Sequence, residues 1–243
     1  MAKRKNQPSS ATALADEVCA ECGGTGYLLL DGGAKPCTCR EDRQAGRRLK
    51  RANIPPRFAT KTLDTFQSRT RPTKDIHQSA EAYISSFNTQ TLDSTEITRT
   101  NGLLFIGGVG SGKTHVAVAV LRAVIGRGFT GRYTNVVDLL DDLRAAFEPN
   151  APQSGQEIID DLVRVDLLVL DDLGAESPTG WVHDRLYQII NRRYEENRPT
   201  IVTTNLALDE LEKQVGPRIT SRLCEMCSEI TFPNRDWRRA NMR

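Results

Sequence analysis

The segment Gly107-Gly108-Val109-Gly110-Ser111-Gly112-Lys113-Thr114 fits the pattern G-x-x-x-x-G-K-[ST]. It constrains the fold because it demands a strand before it and a helix after it. Both are present: the apolar run LLFI at 103–106, then an Ala/Val-rich helical stretch to about Ile125. The glycines let backbone N–H groups turn inward around phosphates, and the following helix N-terminus adds partial positive charge. Lys113 is expected to reach the β- and γ-phosphates, and the Thr114 hydroxyl to take a Mg²⁺ coordination site. The alternative, a chance glycine-rich turn, does not explain the two flanks.

Short apolar runs alternate with helical stretches from residue 102 onward. A strand is expected near 131–136, a helix from Val137 to Phe147, a polar loop at 149–155 and a helix at 156–164. The run DLLVLDD at 166–172 follows, then a helix over roughly 180–197 and the strand PTIVTTN at 199–205. This alternation predicts an α/β fold, a parallel sheet between two helical layers. Asp171 and Asp172 emerge at the C-terminal end of a buried strand, where such sheets place ligands. Asp171 is read as the Mg²⁺ carboxylate and Asp172 as the group that polarises the attacking water. An Asp-rich helix cap is the alternative. Asn205, closing the next strand, is read as a γ-phosphate contact or as a helix cap for 207–213.

Four of the six cysteines fall within 21 residues: Cys19-x2-Cys22-x14-Cys37-x-Cys39. No apolar signal-peptide core follows the basic N-terminus, and no run approaches the ~18 apolar residues of a membrane span. A cytoplasmic chain is therefore expected, in which clustered thiols point to metal rather than disulfides. Four sulfurs suit tetrahedral Zn²⁺; free thiols and an iron–sulfur cluster are the alternatives. Residues 1–60 carry 11 Lys/Arg against 6 Asp/Glu, a basic front end that fits nucleic acid, an acidic partner or a solvated tail. Residues 1–15 read as disordered, 74–88 as a helix and 89–101 as a loop. Cys224 and Cys227 lack a second pair and read as core packing.

Taken in order, GGVGSGKTH, VDLLVLDDLGAE, PTIVTTN, RITSRLCEMC and the terminal DWRR resemble the DnaC/DnaI-like helicase loaders and the related IstB transposition ATPases, within the AAA+ class. The resemblance covers roughly residues 53–243. It implies an AAA+ P-loop domain there and a zinc-binding, helicase-interacting module over 1–52. By resemblance, Gly107 to Thr114 with His115 bind ATP, Lys113 and Thr114 forming Walker A. Asp171 and Asp172 are Walker B, and Asn205 is sensor I. Arg222 matches the arginine finger with Arg218 beside it, and Arg238 matches sensor II; Arg218 and Arg238 are counted with the nucleotide contacts. Two features depart from the wider AAA+ pattern: Asp172 stands where many carry Glu, and only 38 residues follow Asn205, short for a full helical lid.

The helical insertion at 137–164 is, by the same resemblance, where single-stranded DNA is contacted. Arg144 and Phe147 are expected on one helix face, pairing phosphate attraction with a stacking plane, and Trp181 with Thr179 adds a second platform. Burial of both aromatics in the core is the alternative. The expected activity is ATP hydrolysis, and the expected role is loading a replicative DNA helicase onto single-stranded DNA as an ATP-dependent homo-oligomer. The alternatives are assistance to a transposase and a non-hydrolysing, ATP-switched DNA-binding adaptor. Arg222 is expected to point outward, toward a neighbouring subunit's γ-phosphate.

Overall fold

The computed structural model describes residues 19–30, 32–87, 100–148 and 151–240. The tail at 1–15, most of the loop at 89–101 and residues 149–150 lie outside them. Two compact units meet in sequence between Arg51 and Ala52.

The smaller unit is an antiparallel hairpin, β1 (Tyr27–Leu30) and β2 (Gly33–Pro36), followed by α1 (Cys39–Arg51). The hairpin register pairs Tyr27 with Pro36 and Leu30 with Gly33. Among the described residues of this unit only Cys22, Gly26, Cys37 and Gly46 are buried. That is no hydrophobic core. The thiols and a few hydrogen bonds hold the unit: Cys37 N–H to Gly26 O at 2.9 Å, Thr25 Oγ1 to Cys22 O at 2.7 Å, and Arg43 to Gly24 O at 2.8 Å.

The larger unit is built on five strands: β3 (Gly102–Ile106), β4 (Gly131–Asn135), β5 (Leu167–Asp171), β6 (Thr200–Thr204) and β7 (Cys227–Thr231). Their order is β4-β5-β6-β3-β7, and every neighbouring pair is parallel. β5 and β6 are buried at every residue, which explains their continuous apolar runs.

Side chains alternate across the sheet. Leu104, Leu168, Leu170 and Val202 join one core with Leu140 and Leu143 of α4 (Val136–Ala145), Ile159 of α5 (Gly155–Arg164) and Leu186 of α6 (Gly180–Glu195). Leu211 of α7 (Leu208–Val215) and Leu223 of α8 (Pro217–Met226) complete that layer. Phe105, Val169 and Ile201 are buried outside this cluster, as the period of two along a strand requires. α3 (Lys113–Gly126), apolar nearly all round, packs on β4, β5 and β6, and α2 (Arg71–Ser86) packs on α3.

Several expected boundaries move. α2 starts at Arg71 rather than 74 because Thr73 Oγ1 accepts the Thr70 N–H at 3.0 Å, a cap that needs no acidic residue. α4 begins one residue earlier, Asn135 capping it through the Val137 N–H at 3.0 Å. It stops at Ala145, so Phe147 lies in the turn beyond it rather than on the helix. Cys227 is buried as expected, but Cys224 is exposed and not part of the core.

Candidate functional site

The C-terminal ends of β3, β5 and β6 converge on a cavity of about 470 Å³. β3 delivers the glycine-rich loop, β5 delivers Asp171 and Asp172, and β6 delivers Asn205. Gly112, at φ +104, turns the loop into α3. Gly110, at φ +75, also has no room for a side chain, because a Cβ there would collide with the Asp236 carboxylate.

The Lys113 ammonium is nearly buried and donates to Gly107 O at 2.6 Å, Gly108 O at 2.9 Å and Asn205 Oδ1 at 2.7 Å. Burial, opposed by the Asp172 and Asp171 charges, brings its pKa down to about 8. The Asn205 amide donates in turn to Asp172. Asp171, also buried, accepts from three hydroxyls: Thr114 at 3.0 and 3.1 Å, Thr203 at 2.7 Å and Tyr133 at 2.7 Å. Asp172 sits at φ +64, in the left-handed region that Asp tolerates better than most residues, and its N–H bonds Thr203 Oγ1 at 2.9 Å. Burial and the neighbouring Asp171 push its carboxyl above the ordinary Asp value. Tyr133 is not marked by the sequence, since a lone strand hydroxyl carries no motif.

The residues fit a bound nucleoside triphosphate with Mg²⁺. Ser111 Oγ is buried without a hydrogen-bond partner, inside the glycine-rich loop. Thr114 and Asp171 offer paired oxygens of the kind a hard divalent cation takes. Phe58, Lys61, His115 and Trp237 also face the cavity. His115 Nε2 is tied to Thr62 O at 2.9 Å and Thr65 Oγ1 at 3.1 Å. Burial lowers its pKa, so the ring meets the site neutral.

A chain segment straps the back of the loop. The Phe232 N–H bonds Ile106 O at 2.7 Å, and the Trp237 N–H bonds Gly110 O at 3.1 Å. A Cβ at Gly108 would strike Asn234. The terminal DWRR motif thus supports the phosphate loop from behind and brings Arg238 to the cavity.

One arginine departs from expectation. Arg222 does not project outward. Its guanidinium donates to Asn191 Oδ1 at 2.7 Å and Tyr187 Oη at 3.0 Å, and lies 4.9 and 5.5 Å from the Tyr187 and Tyr194 ring centroids. Those rings, on α6, draw the guanidinium down by cation–π attraction. Arg218 is exposed, and neither it nor Arg222 lines this chain's own cavity.

The DNA candidates partly converge. Arg144 lies 5.1 Å from the Trp181 ring centroid and pairs with Asp141 at 2.7 Å; Phe147, 62% exposed, meets Trp181 edge-on at 6.3 Å. Trp181 is half-buried against the core. Thr179 is the N-cap of α6, its Oγ1 accepting the Val182 N–H at 3.3 Å. Thr179 is exposed, and its O–H donor is not used by this cap.

In the smaller unit the four cysteine sulfurs lie within 4.8 Å of one another. Cys22 and Cys39 are 3.4 Å apart, Cys19 and Cys37 3.9 Å. Tetrahedral Zn²⁺ with ~2.3 Å bonds separates its sulfurs by about 3.8 Å, so small side-chain adjustments bring all four thiols onto one ion. Burial pushes the Cys22 thiol up, but the Gly26 N–H at 3.3 Å and the neighbouring thiols outweigh it and bring it to about 6. The Cys22 thiol beside it, with burial, pushes the Cys39 thiol up to about 12, so within the cluster the thiolate forms first at Cys22.

Fold and site together define a P-loop ATP-binding protein of AAA+ type with an appended four-cysteine module. The chain belongs to the family described as IstB-like ATP binding protein, whose pattern matches residues 29–239. It is 32% identical over 120 residues to the replicative helicase loader DnaC of Escherichia coli K12, covering 49% of each chain. It thus spans about half the length of the curated relatives it matches first. A crystal structure of the DnaC helicase loader superposes with a TM-score of 0.64 at 26% identity, covering 73% of this chain and 99% of that one. A DnaI crystal structure superposes with a TM-score of 0.62 at 22% identity, covering 74% and 95%, and so shares the fold. Among the described residues no helix is long and apolar enough to cross a membrane.

Proposed function

We propose that the protein is an ATP-hydrolysing helicase loader that delivers a replicative DNA helicase to single-stranded DNA. The observation that carries the ATPase reading is the chain of contacts from Lys113 through Asn205 to Asp172. It joins the phosphate-binding, sensing and water-orienting positions in one hydrogen-bonded line. Lys113 neutralises phosphate charge, and its present acceptors Gly107 O and Gly108 O are exchanged for phosphate oxygens on binding. Mg²⁺, held by Thr114 and Asp171, would supply charge neutralisation between the β- and γ-phosphates. Asp172 orients the attacking water and accepts its proton, a task favoured by its raised pKa. Asn205 reports the γ-phosphate to β6, and Arg238 adds positive charge at the cavity wall.

In a head-to-tail assembly, α8 presents Arg218 and Arg222 to the neighbour's nucleotide. Arg218 needs no release, whereas Arg222 must leave the Tyr187 and Asn191 contacts. Arg144, Phe147 and Trp181 receive the DNA strand. The zinc module meets the helicase, and its hairpin offers apolar surface for this: Leu29 is 87% and Leu30 60% exposed.

The test is steady-state ATP turnover with and without single-stranded DNA. Turnover that responds to DNA and vanishes in Lys113→Ala supports the reading; bound ATP that is never hydrolysed replaces it with a nucleotide-switched adaptor. The family match supports one second reading, an ATPase that serves a transposase with this same site. Capture of a replicative helicase by the full chain separates the two.

A further inference from the structure

We infer that the basic face of α1 in the four-cysteine module is a second contact for single-stranded DNA, distinct from the Arg144, Phe147 and Trp181 surface. The inference rests on the DNA-bound reading above.

At 3.6 residues per turn, Arg40, Arg43, Arg47, Lys50 and Arg51 fall within an arc of about 100° on the helix. Glu41 and Asp42, the helix's own acids, fall outside that arc. The stripe runs ~16 Å along the axis, with a cation about every 5 Å. Lys50 and Arg51 also complement the helix's C-terminal partial charge, but that role does not require them to share a face with Arg40 and Arg43.

The stripe is held in place. Arg43 bonds Gly24 O at 2.8 Å. Arg40 donates to Tyr27 Oη at 2.6 Å, with its guanidinium 5.2 Å from the ring centroid. Those two arginines fix α1 to the hairpin. Among the described residues Arg47 and Lys50 make no ion pair, and both are exposed.

At the start of the stripe Tyr27 is 42% exposed on β1. A cationic track ending on an exposed aromatic is the pairing that single strands favour: phosphates follow the charges and an unstacked base meets the ring. A duplex keeps its bases stacked and offers Tyr27 nothing. The polyanion that fits is therefore single-stranded.

The test uses the full chain and a fluorescent oligothymidylate, with binding read by anisotropy across a salt series. Arg47→Ala and Lys50→Ala are combined, leaving Arg40 and Arg43 to hold the module; zinc content and ATP affinity confirm folding. Each lost phosphate contact lowers the slope of log K against log salt by ~0.7, so the double variant is expected to lose about 1.4 from the slope. Replacing the same two positions by charge-retaining residues, Arg47→Lys and Lys50→Arg, keeps it. Phe147→Ala with Trp181→Ala lowers affinity with the slope intact. An unchanged slope in the folded double variant overturns the inference. If that variant also fails to capture the helicase, the face belongs to an acidic protein instead. Absence of any DNA binding by the wild type overturns the DNA-bound reading itself.

Discussion

The Lys113 ammonium donates to Asn205 Oδ1 at 2.7 Å across the gap between the phosphate loop and the end of β6. The same amide donates to Asp172, so one side chain orients both the phosphate-binding cation and the water-orienting carboxylate. The two ends of this contact have separable functions. Lys113→Ala is expected to abolish ATP binding, since it removes the cation at the phosphate site. Asp172→Asn keeps the amide–Asn205 contact and spares Asp171, so ATP affinity should persist while turnover falls by roughly 10²–10⁴. Equal affinity of wild type and Lys113→Ala for a labelled ATP analogue contradicts the assignment.

The depressed Lys113 pKa predicts a pH dependence of binding. The free protein holds this lysine at about 8, and bound phosphate raises it. Below that value the ammonium is charged in both states and affinity is flat. Above it, binding must take up a proton, so affinity falls as pH rises, by up to about tenfold per unit. Calorimetry from about pH 7 to pH 9.5 checks the sign; a flat profile contradicts it.

The smaller unit lacks a hydrophobic core and should depend on metal. One zinc ion per chain is expected by elemental analysis, with Cys22→Ser losing both the ion and the module's fold. ATP binding survives, because the larger unit has its own core. Four freely titratable thiols with no bound metal would sink this expectation.

Arg193 carries a stability prediction. It is fully buried on α6, with no acidic partner in hydrogen-bond reach among the described residues. Its guanidinium donates to the Leu162, Val163, Val165 and Pro199 carbonyls and to Thr200 Oγ1. It thereby caps the C-terminal end of α5 and ties it to β6. Arg193→Met strands those carbonyls and should destabilise the larger unit by roughly 3–5 kcal/mol, read by urea denaturation. A loss under about 1 kcal/mol means the carbonyls find other donors.

The parallel sheet and the positions of Asp171 and Asn205 were legible because an apolar run is followed by a polar residue where the strand ends, and Lys113 and Thr114 because the glycine-rich loop fixes them at the start of the next helix. What escaped depends on contacts distant in sequence. Nothing around Tyr133 announces that its hydroxyl will meet Asp171, 38 residues on. Arg193 reads as one more surface cation until α5 brings its carbonyls over it. Arg222 shared a helical face with Arg218 on paper, but the tyrosines of α6 separate their fates. Thr179 also caps a helix, a role set by where α6 opens.

The most direct measurement of the central claim is retention of a replicative helicase on circular single-stranded DNA after gel filtration. With this protein and ATP, the helicase should elute with the DNA. With Lys113→Ala in its place, it should elute free. Equal helicase retention with wild type, with Lys113→Ala and with no added protein would contradict the account.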